Sequence, residues 1–220
     1  MLQRAYDRYI APRLIHAVCS RSPFPKQREQ VVPHARGDVL EIGLGSGLNL
    51  PYYDTDRVHS ICAVEPDEVM RARVMARGET RGLALDLRAD SAETLPFDTD
   101  RFDTVLTTFT LCSIDDLSSA LAEMRRVLKP TGRLRFAEHG RSPEPGVHAW
   151  QRRLNPIQRC LGGGCQLDVD IPRVLTDAGF ELLTLEQGYV PGPKVFAYHY
   201  WGEAKLRPEG EPDKRVTAPQ

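Results

Sequence analysis

The sequence predicts an α/β protein built on an open, mostly parallel sheet with helices on both faces. Apolar strand-like segments alternate with helix-like segments from residue 39 to residue 139, which is typical of parallel strands joined by helical crossovers. A glycine-rich turn follows the first strand, and polar residues follow the later ones. The chain has 220 residues, enough for one such domain with a sizeable core.

Composition and charge argue against a nucleic-acid-binding protein and against a membrane protein. The formal net charge is −1 and the Lys and Arg residues are scattered, so we expect no nucleic-acid partner. No apolar run approaches the roughly 18 residues of a membrane span, and the N-terminus lacks the apolar core of a signal peptide. We therefore expect a cytoplasmic monomer or homodimer without stable membrane insertion.

The cysteines favour a reducing compartment, because the chain has 5 of them and no Cys-x-x-Cys pair. A metal site that combines Cys160 and Cys165 with His139 or His148 is conceivable. Its spacing fits no standard zinc pattern, so we expect no metal.

A helix is predicted over residues 2–19, where apolar residues recur at helical spacing and Pro12 can kink or divide it. This helix could cover the core, or form a lid over a ligand that Tyr6 or Tyr9 contacts. It could also rest on a membrane surface, although its mixed charges weigh against that role. We assign residues 1–36, which include a second short helix, to a helical lid.

The first strand, residues 39–42, runs into a turn with glycine at alternate positions, Gly43, Gly45 and Gly47. Glycine adopts backbone angles closed to other residues and lets a ligand approach the main chain. The next segment is predicted to be helical, so its first N–H groups could face a polar or anionic group. Glu41 places a carboxylate beside this turn.

The second strand, residues 60–65, ends at Glu65, about 20 residues past the glycine turn, where nucleotide-binding folds place a carboxylate that accepts hydrogen bonds from ribose hydroxyls. A dinucleotide fingerprint would need glycine at position 48, which is Leu48. A helix is predicted over residues 67–77, with Asp67 as its N-cap.

Three further strands of the predicted sheet cover residues 83–88, 102–108 and 133–139. An aspartate after the third could accept from an exocyclic amine such as that of adenine. Ligands of parallel sheets bind beyond the carboxyl ends of the strands. The residues at those ends are the glycine turn, Glu65, Asp90, Thr108 and His139, so we expect one shared site.

The C-terminal part is predicted to hold helices over residues 148–161 and 170–178, separated by a Gly-rich loop over 162–165. Two antiparallel strands over residues 180–187 and 195–202 follow. The chain is polar and Pro-rich from residue 206 to residue 220, which predicts a disordered tail.

The ordered segments EIGLGSG, AVEPD, RADSAETLPF, FDTVLTTFTLCSIDD and MRRVLKPTGRLRFAEH resemble the UbiE-like, "type 11" group of class I S-adenosylmethionine (SAM)-dependent methyltransferases. A narrower likeness runs through FTLCSIDD, RVLKPTGRLRFAEHG, HAWQRRLNPIQRCLGGGCQLD and AGFELLTLE. It is similar to the thiol methyltransferase-like branch, whose vertebrate members are membrane-anchored and methylate small alkyl thiols. This sequence lacks their hydrophobic N-terminal anchor.

The resemblance implies SAM as cofactor and a Rossmann-like three-layer sandwich over residues 37–205, with a seven-stranded sheet whose last strand is antiparallel. It also implies a division of the cofactor site among the strand ends. The methionine part would lie against Glu41, Gly43, Gly45 and Gly47, the ribose at Glu65, the adenine at Pro66, Asp90 and Ser91, and the sulfonium beside Thr108 and Phe109.

Methyl transfer from SAM is an in-line displacement that needs alignment more than a protein nucleophile. A thiol acceptor must lose its proton first, and His139, at a strand end, is the candidate base; it could instead only hydrogen-bond the strand end. Residues near the acceptor pocket are predicted to be Tyr6, Tyr9, Cys112 and Cys165.

Competing functions stay open at the level of sequence. The acceptor, a small molecule, could instead be a lipid or a quinone-like compound methylated on carbon, oxygen or nitrogen. The domain could also be a SAM-binding regulatory module without activity. Leu48 disfavours a third alternative, an NAD-dependent oxidoreductase.

Overall fold

The computed structural model describes residue 6, residues 8–77 and residues 82–208. Its strands form one sheet. They are β1 (Gly37–Ile42), β2 (Val58–Val64), β3 (Ala84–Arg88), β4 (Phe102–Thr108), β5 (Leu128–His139), β6 (Phe180–Tyr189) and β7 (Tyr198–Leu206).

The sheet is seven-stranded, in the order β3-β2-β1-β4-β5-β7-β6. The first five strands are parallel, and β1 lies between β2 and β4, so that Leu40 is level with Cys62 on one side and with Val105 on the other. Strand β7 runs antiparallel to both β5 and β6. The predicted seven-stranded sheet with an antiparallel last strand is therefore confirmed.

Helices cover both faces of the sheet. They are α1 (Ala11–Cys19), α2 (Phe24–Val31), α3 (Glu68–Arg77), α4 (Leu117–Val127), α5 (Pro145–Leu161) and α6 (Ile171–Asp177). Because successive side chains of a strand point to opposite faces, Leu40 and Ile42 join one apolar cluster, while Val39 joins another. Two cores on one sheet make the three-layer sandwich that was predicted.

The segment after the glycine turn differs from its prediction. No α-helix starts there in the described chain; residues 45–49 form turns, and a single 3-10 turn follows at Leu50–Tyr52. Pro51 explains the difference, because proline has no N–H to continue a helical ladder and restricts the residue before it. The glycine turn is therefore followed by a loop and not by a helix N-terminus. Its Gly43 and Gly45 N–H groups donate to the Val64 carbonyl and to the Glu65 carboxylate.

Other boundaries moved by a few residues. Helix α1 begins at Ala11, with Pro12 in its first turn, where proline is well tolerated; part of the predicted helix over residues 2–10 lies outside the described residues. Strand β5 begins at Leu128, which pairs with Phe102 before an irregularity in the register. Strand β7 extends to Leu206, and the predicted tail beyond residue 208 lies outside the description.

Among the described residues, none of the helices has the length and apolar character that crossing a bilayer requires.

Candidate active site

A cavity of about 640 Å³ opens at the carboxyl ends of β1, β2 and β4. Its floor is the glycine turn and its walls come from β2, from the residues after β4 and from helix α1. The position agrees with the rule that ligands of parallel sheets bind beyond the carboxyl strand ends. Among the predicted site residues, the cavity is lined by Gly43, Gly45, Glu65, Pro66, Ser91, Thr108 and Phe109.

The three glycines of the turn all have positive φ, at +69° for Gly43, +57° for Gly45 and +76° for Gly47. A side chain at Gly43 would collide with Thr110, and one at Gly47 would come within 3.0 Å of Leu50. A Cβ at Gly45 would meet no atom within 4 Å in the part of the chain that the structure describes. Gly43 and Gly47 thus serve the packing of the turn, and Gly45 presents bare backbone to the cavity.

The Glu65 side chain is hydrogen-bonded to the glycine turn. Its carboxylate accepts hydrogen bonds from the backbone N–H of Gly45 at 2.7 Å and of Asp67 at 2.9 Å. Burial raises the pKa of Glu65, while those two donors oppose the shift. Asp67 in turn accepts from the N–H of Met70 at 2.8 Å, which confirms it as the N-cap of α3. Asp90 lies just after β3, beside the cavity-lining Ser91.

Glu41 lies beneath the turn and does not line the cavity. It is fully buried and accepts from Asn49 Nδ2 at 2.7 Å and from the Tyr53 hydroxyl at 2.6 Å. Burial raises its pKa to about 7. Because Asn49 also donates to Thr108 Oγ1 at 3.0 Å, Glu41 acts on the site by holding Asn49 in place.

Arg28 is a buried cation at the cavity that sequence reasoning missed. Its Nε donates to Asn49 Oδ1 at 3.0 Å and its Nη1 donates to the Cys19 carbonyl at 2.7 Å. Arg28 is 4% exposed and has no carboxylate partner among the ion pairs of the described residues. Burial lowers its pKa, but an arginine remains charged at neutral pH. Nothing in the polar stretch around Arg28 indicated that its side chain would be buried.

Thr108 and Phe109 form the wall opposite Glu65. Phe109 has a positive φ of 55°, and its N–H donates to the Ala137 carbonyl at 2.8 Å. Its ring packs edge-on against Phe24 with centroids 4.7 Å apart, and the Arg28 guanidinium lies 5.3 Å from its centroid. Such a backbone conformation in a bulky residue is unusual and clusters at functional sites.

The N-terminal segment covers the cavity, but through residues other than the predicted tyrosines. Tyr6 donates from its hydroxyl to the Leu161 carbonyl at 2.7 Å, and Tyr9 is 53% exposed; neither lines the cavity. Helix α1 lines it with its inner face, and His16 Nδ1 lies 2.6 Å from the Ser46 hydroxyl. This contact ties α1 to the glycine turn.

The structure brings together Cys112, His139 and Cys165, which the sequence placed far apart. His139 Nε2 lies 3.2 Å from Cys165 Sγ. Contact with Cys112 and with the His139 ring lowers the pKa of the Cys165 thiol, and the pKa of Cys112 is raised by its hydrogen bond to Cys165 and by burial. The other two residues considered for a metal site lie apart from this group: Cys160 is exposed, and His148 lies 3.8 Å from Asp168.

Residues 40–136 match the model of a protein family described as a methyltransferase domain. The chain is 29% identical over 180 residues to the mitochondrial methyltransferase OMS1 of Saccharomyces cerevisiae, which covers 72% of this chain and 37% of that protein. It is 29% identical to the phosphatidylethanolamine N-methyltransferase of Cereibacter sphaeroides, with coverage of 83% and 88%. It is 31% identical to the thiol S-methyltransferase TMT1B of Rattus norvegicus, with coverage of 67% and 62%.

Solved structures agree on the fold. A SAM-dependent methyltransferase of Thermotoga maritima superposes with a TM-score of 0.65 at 22% identity, over 93% of this chain and 99% of that one. The [4+2]-cyclase SpnF gives a TM-score of 0.68 at 18% identity, over 94% and 95%. A cyclase and a methyltransferase on one fold illustrate that chemistry is decided by the site.

Proposed function

This chain belongs to the class I SAM-dependent methyltransferases, and from that premise we propose that it transfers the methyl group of SAM to a small alkyl thiol. The cavity at the carboxyl edge of the sheet supports the cofactor part of this proposal. It joins bare backbone at Gly45, a buried carboxylate at Glu65 and a buried cation at Arg28.

These groups match the chemistry of the cofactor. Glu65 can accept from ribose hydroxyls, and we assign the adenine to Pro66, Asp90 and Ser91. At the other end, Arg28 can pair with the carboxylate of the methionine part, because its guanidinium has no carboxylate of its own among the described residues. Gly43, Gly45 and Gly47 shape the backbone between these ends, supported from below by Glu41.

When bound, SAM supplies a methyl group on a sulfonium leaving group. The residues of the chain align the reactants and exclude water. Thr108 and Phe109 wall the cavity where the sulfonium would lie, and an aromatic face can stabilise a cation by about 0.5–2 kcal/mol. Helix α1 would act as a lid over the cavity, with residues 1–36 as the lid region, through the contact between His16 and Ser46.

We favour a thiol as the methyl acceptor. Thiolates are the reactive form, and His139 lies at the end of β5, two residues past the carbonyl that receives the Phe109 N–H. We retain His139 as the candidate base, and Cys112 and Cys165 as candidates for the acceptor pocket. Tyr6 and Tyr9 do not line the cavity and are no longer candidates. The likeness to a thiol S-methyltransferase supports this choice.

A lipid or quinone-like acceptor is the second candidate. It is favoured by the likeness to the phosphatidylethanolamine N-methyltransferase, which extends over 88% of that relative, and by a likeness to a benzoquinol methylase at 41% identity over 78 residues. A cytoplasmic monomer or homodimer stays our prediction for location and assembly.

The deciding experiment incubates the full chain with isotope-labelled SAM and a panel of an alkyl thiol, a phenol, a quinol and phosphatidylethanolamine vesicles. We expect label in the thiol product alone. Label in the quinol or the lipid would replace the thiol proposal with the second candidate. SAM binding without any labelled product would indicate a regulatory module, and Glu65→Ala serves as the variant that should lose cofactor binding.

A further inference from the structure

Two thiols and an imidazole converge beside the cavity from separate elements. Cys112 lies in the 3-10 turn Leu111–Ser113, His139 is the last residue of β5, and Cys165 lies in the loop between α5 and α6. Their ligand atoms all lie within 4.8 Å of one another, and His139 Nε2 is 3.2 Å from Cys165 Sγ. The spacing along the chain gave no sign of this group.

The separations suit a tetrahedral metal ion. Bonds of about 2.3 Å to sulfur and 2.0 Å to nitrogen place neighbouring ligand atoms roughly 3.5–3.8 Å apart, so small side-chain movements would close the group around an ion. Two thiols and an imidazole favour Zn²⁺ over Mg²⁺ or Ca²⁺, which prefer oxygen. The nearby Glu138 carboxylate is already engaged by Thr107 Oγ1 at 2.8 Å and by the Thr110 N–H at 2.9 Å.

The backbone around the group is fixed by its own hydrogen bonds. The Gln166 N–H donates to the Cys112 carbonyl at 2.8 Å, which joins the two cysteine segments directly. His139 is paired with His199 across β5 and β7. Ligands that are held in place before binding lose little conformational freedom when an ion binds.

We propose that Cys112, His139 and Cys165 bind a Zn²⁺ ion whose fourth coordination position takes the thiolate of the acceptor. The second half of this proposal rests on the proposed thiol methyltransferase function. Ser113 and Gly164, the neighbours of the two cysteines in the chain, line the cavity, so the ion would adjoin it. Three protein ligands and one open position are the arrangement of catalytic zinc.

The chemistry balances without a further reactant. A coordinated thiol loses its proton to solvent, because a bound cation stabilises the thiolate. The acceptor sulfur then forms a bond to the methyl carbon as the bond from that carbon to the sulfonium sulfur breaks, which gives a methyl thioether and S-adenosylhomocysteine. In this arrangement His139 serves as a ligand, and this role replaces that of candidate base.

The test uses the full chain, stripped with a chelator and titrated with Co²⁺, a coloured substitute for Zn²⁺. We expect about one Co²⁺ per chain, with a thiolate-to-cobalt charge-transfer band and tetrahedral d–d bands that Zn²⁺ abolishes. Cys165→Ser should weaken Co²⁺ binding at least about 10-fold, the smallest loss typical of even outer-shell changes. Cys160→Ser, at an exposed position of α5, is the matched control and should bind as the native chain does.

Absence of the charge-transfer band in the native chain, or Co²⁺ binding by Cys165→Ser as tight as that of the native chain, would overturn the site. The thermal stability of the variant with SAM shows that its fold is intact. Ethanethiol, with ethanol as control, should shift the d–d bands of the cobalt form; bands unchanged by ethanethiol would overturn thiolate coordination. Because these spectra need no SAM turnover, failure of the methyltransferase proposal would appear separately, as an absence of labelled product with the metal bands intact.

Discussion

Arg28 carries a positive charge inside the protein, where an unpaired cation is costly. Its guanidinium is held by the Asn49 side chain and the Cys19 carbonyl, both neutral acceptors. A carboxylate brought by a ligand would complete its pairing. This is the physical reason to assign the amino-acid end of SAM to Arg28.

Arg28→Met should therefore remove the discrimination between SAM and decarboxylated SAM. In the native chain we expect SAM to bind at least about 10-fold more tightly than its decarboxylated analogue, because a hydrogen bond to a charged group contributes about 1.5–3 kcal/mol. In Arg28→Met the two dissociation constants, measured by calorimetry, should become similar. If the variant kept the native ratio, the carboxylate would have to bind elsewhere. Arg153→Met, on α5, is a control and should leave the ratio unchanged.

Glu41 makes stability depend on pH. Burial raises its pKa from 4.5 to about 7, so the folded state favours the protonated form. The stability that this carboxyl contributes is thus fully present below pH 4.5 and is lost as pH rises through 7. Glu41→Gln should make the fall in unfolding free energy over that range shallower, at about 1.4 kcal/mol per unit of pKa shift.

Urea unfolding at a series of pH values measures this slope. Glu138 is also buried with its pKa raised to about 7, so part of the slope should remain in Glu41→Gln. The exposed Glu186 gives the control variant Glu186→Gln, which should retain the native slope. Equal slopes in Glu41→Gln and the native chain would show that Glu41 titrates at its ordinary pKa in the folded state.

At the scale of elements, a glycine of the turn can be compared with a glycine elsewhere that has a similar backbone conformation but does not line the cavity. Gly45 and Gly82 both have positive φ, at +57° and +81°, and a Cβ at either would meet no atom of the described residues within 4 Å. Gly45 lines the cavity, and Gly82 does not. Alanine at either position should destabilise the fold by about 1–2 kcal/mol, the usual cost of a left-handed conformation.

Only Gly45→Ala should also weaken SAM binding, because its methyl group would occupy the space where ligand meets backbone. We expect at least a 10-fold increase in the SAM dissociation constant, about 1.4 kcal/mol, against little change in Gly82→Ala. Calorimetry gives the constants and thermal unfolding gives the stabilities. Equal SAM affinity in the two variants would move the ligand away from Gly45.

The sequence predicted those elements whose patterns are local. Alternating strand and helix segments predicted the parallel sheet, and Asp67 was identified as a cap from its place before a helical run. The prediction of a helix after the glycine turn was wrong, because Pro51 interrupts a segment whose other residues are compatible with a helix. The group of Cys112, His139 and Cys165 depends on how a turn, a strand end and a loop pack, and no spacing along the chain encodes that.

The buried position of Arg28 also depends on how separate elements pack, which the sequence pattern does not encode. A charged residue in a short polar helix is ordinarily exposed, and only the packing of α2 beneath the cavity, beside Phe109 and Asn49, makes it part of the site. Conversely, the spacing of Tyr9 predicted a buried position, but its side chain is about half exposed.

At the scale of the whole molecule, the cavity joins parts that are distant in sequence: helix α1, the first strand ends and the loop after α5. A ligand that binds there should therefore stabilise the fold as one unit. At a SAM concentration 100 times its dissociation constant, the gain is about 2.7 kcal/mol. For a chain of this size that corresponds to a rise in Tm of roughly 5–10 °C.

Thermal unfolding with SAM, S-adenosylhomocysteine and NAD tests this expectation. The first two should raise Tm, because they share the adenosine and the amino-acid end that Glu65 and Arg28 are placed to bind, while NAD should not. Hydrogen exchange shows which part of the chain SAM stabilises. If α1 closes over the ligand, its amides should exchange more slowly with SAM bound. A rise in Tm without added protection of α1 would leave the cofactor site in place and refute the lid, whereas stabilisation by NAD instead of SAM would refute the assignment of the cavity itself.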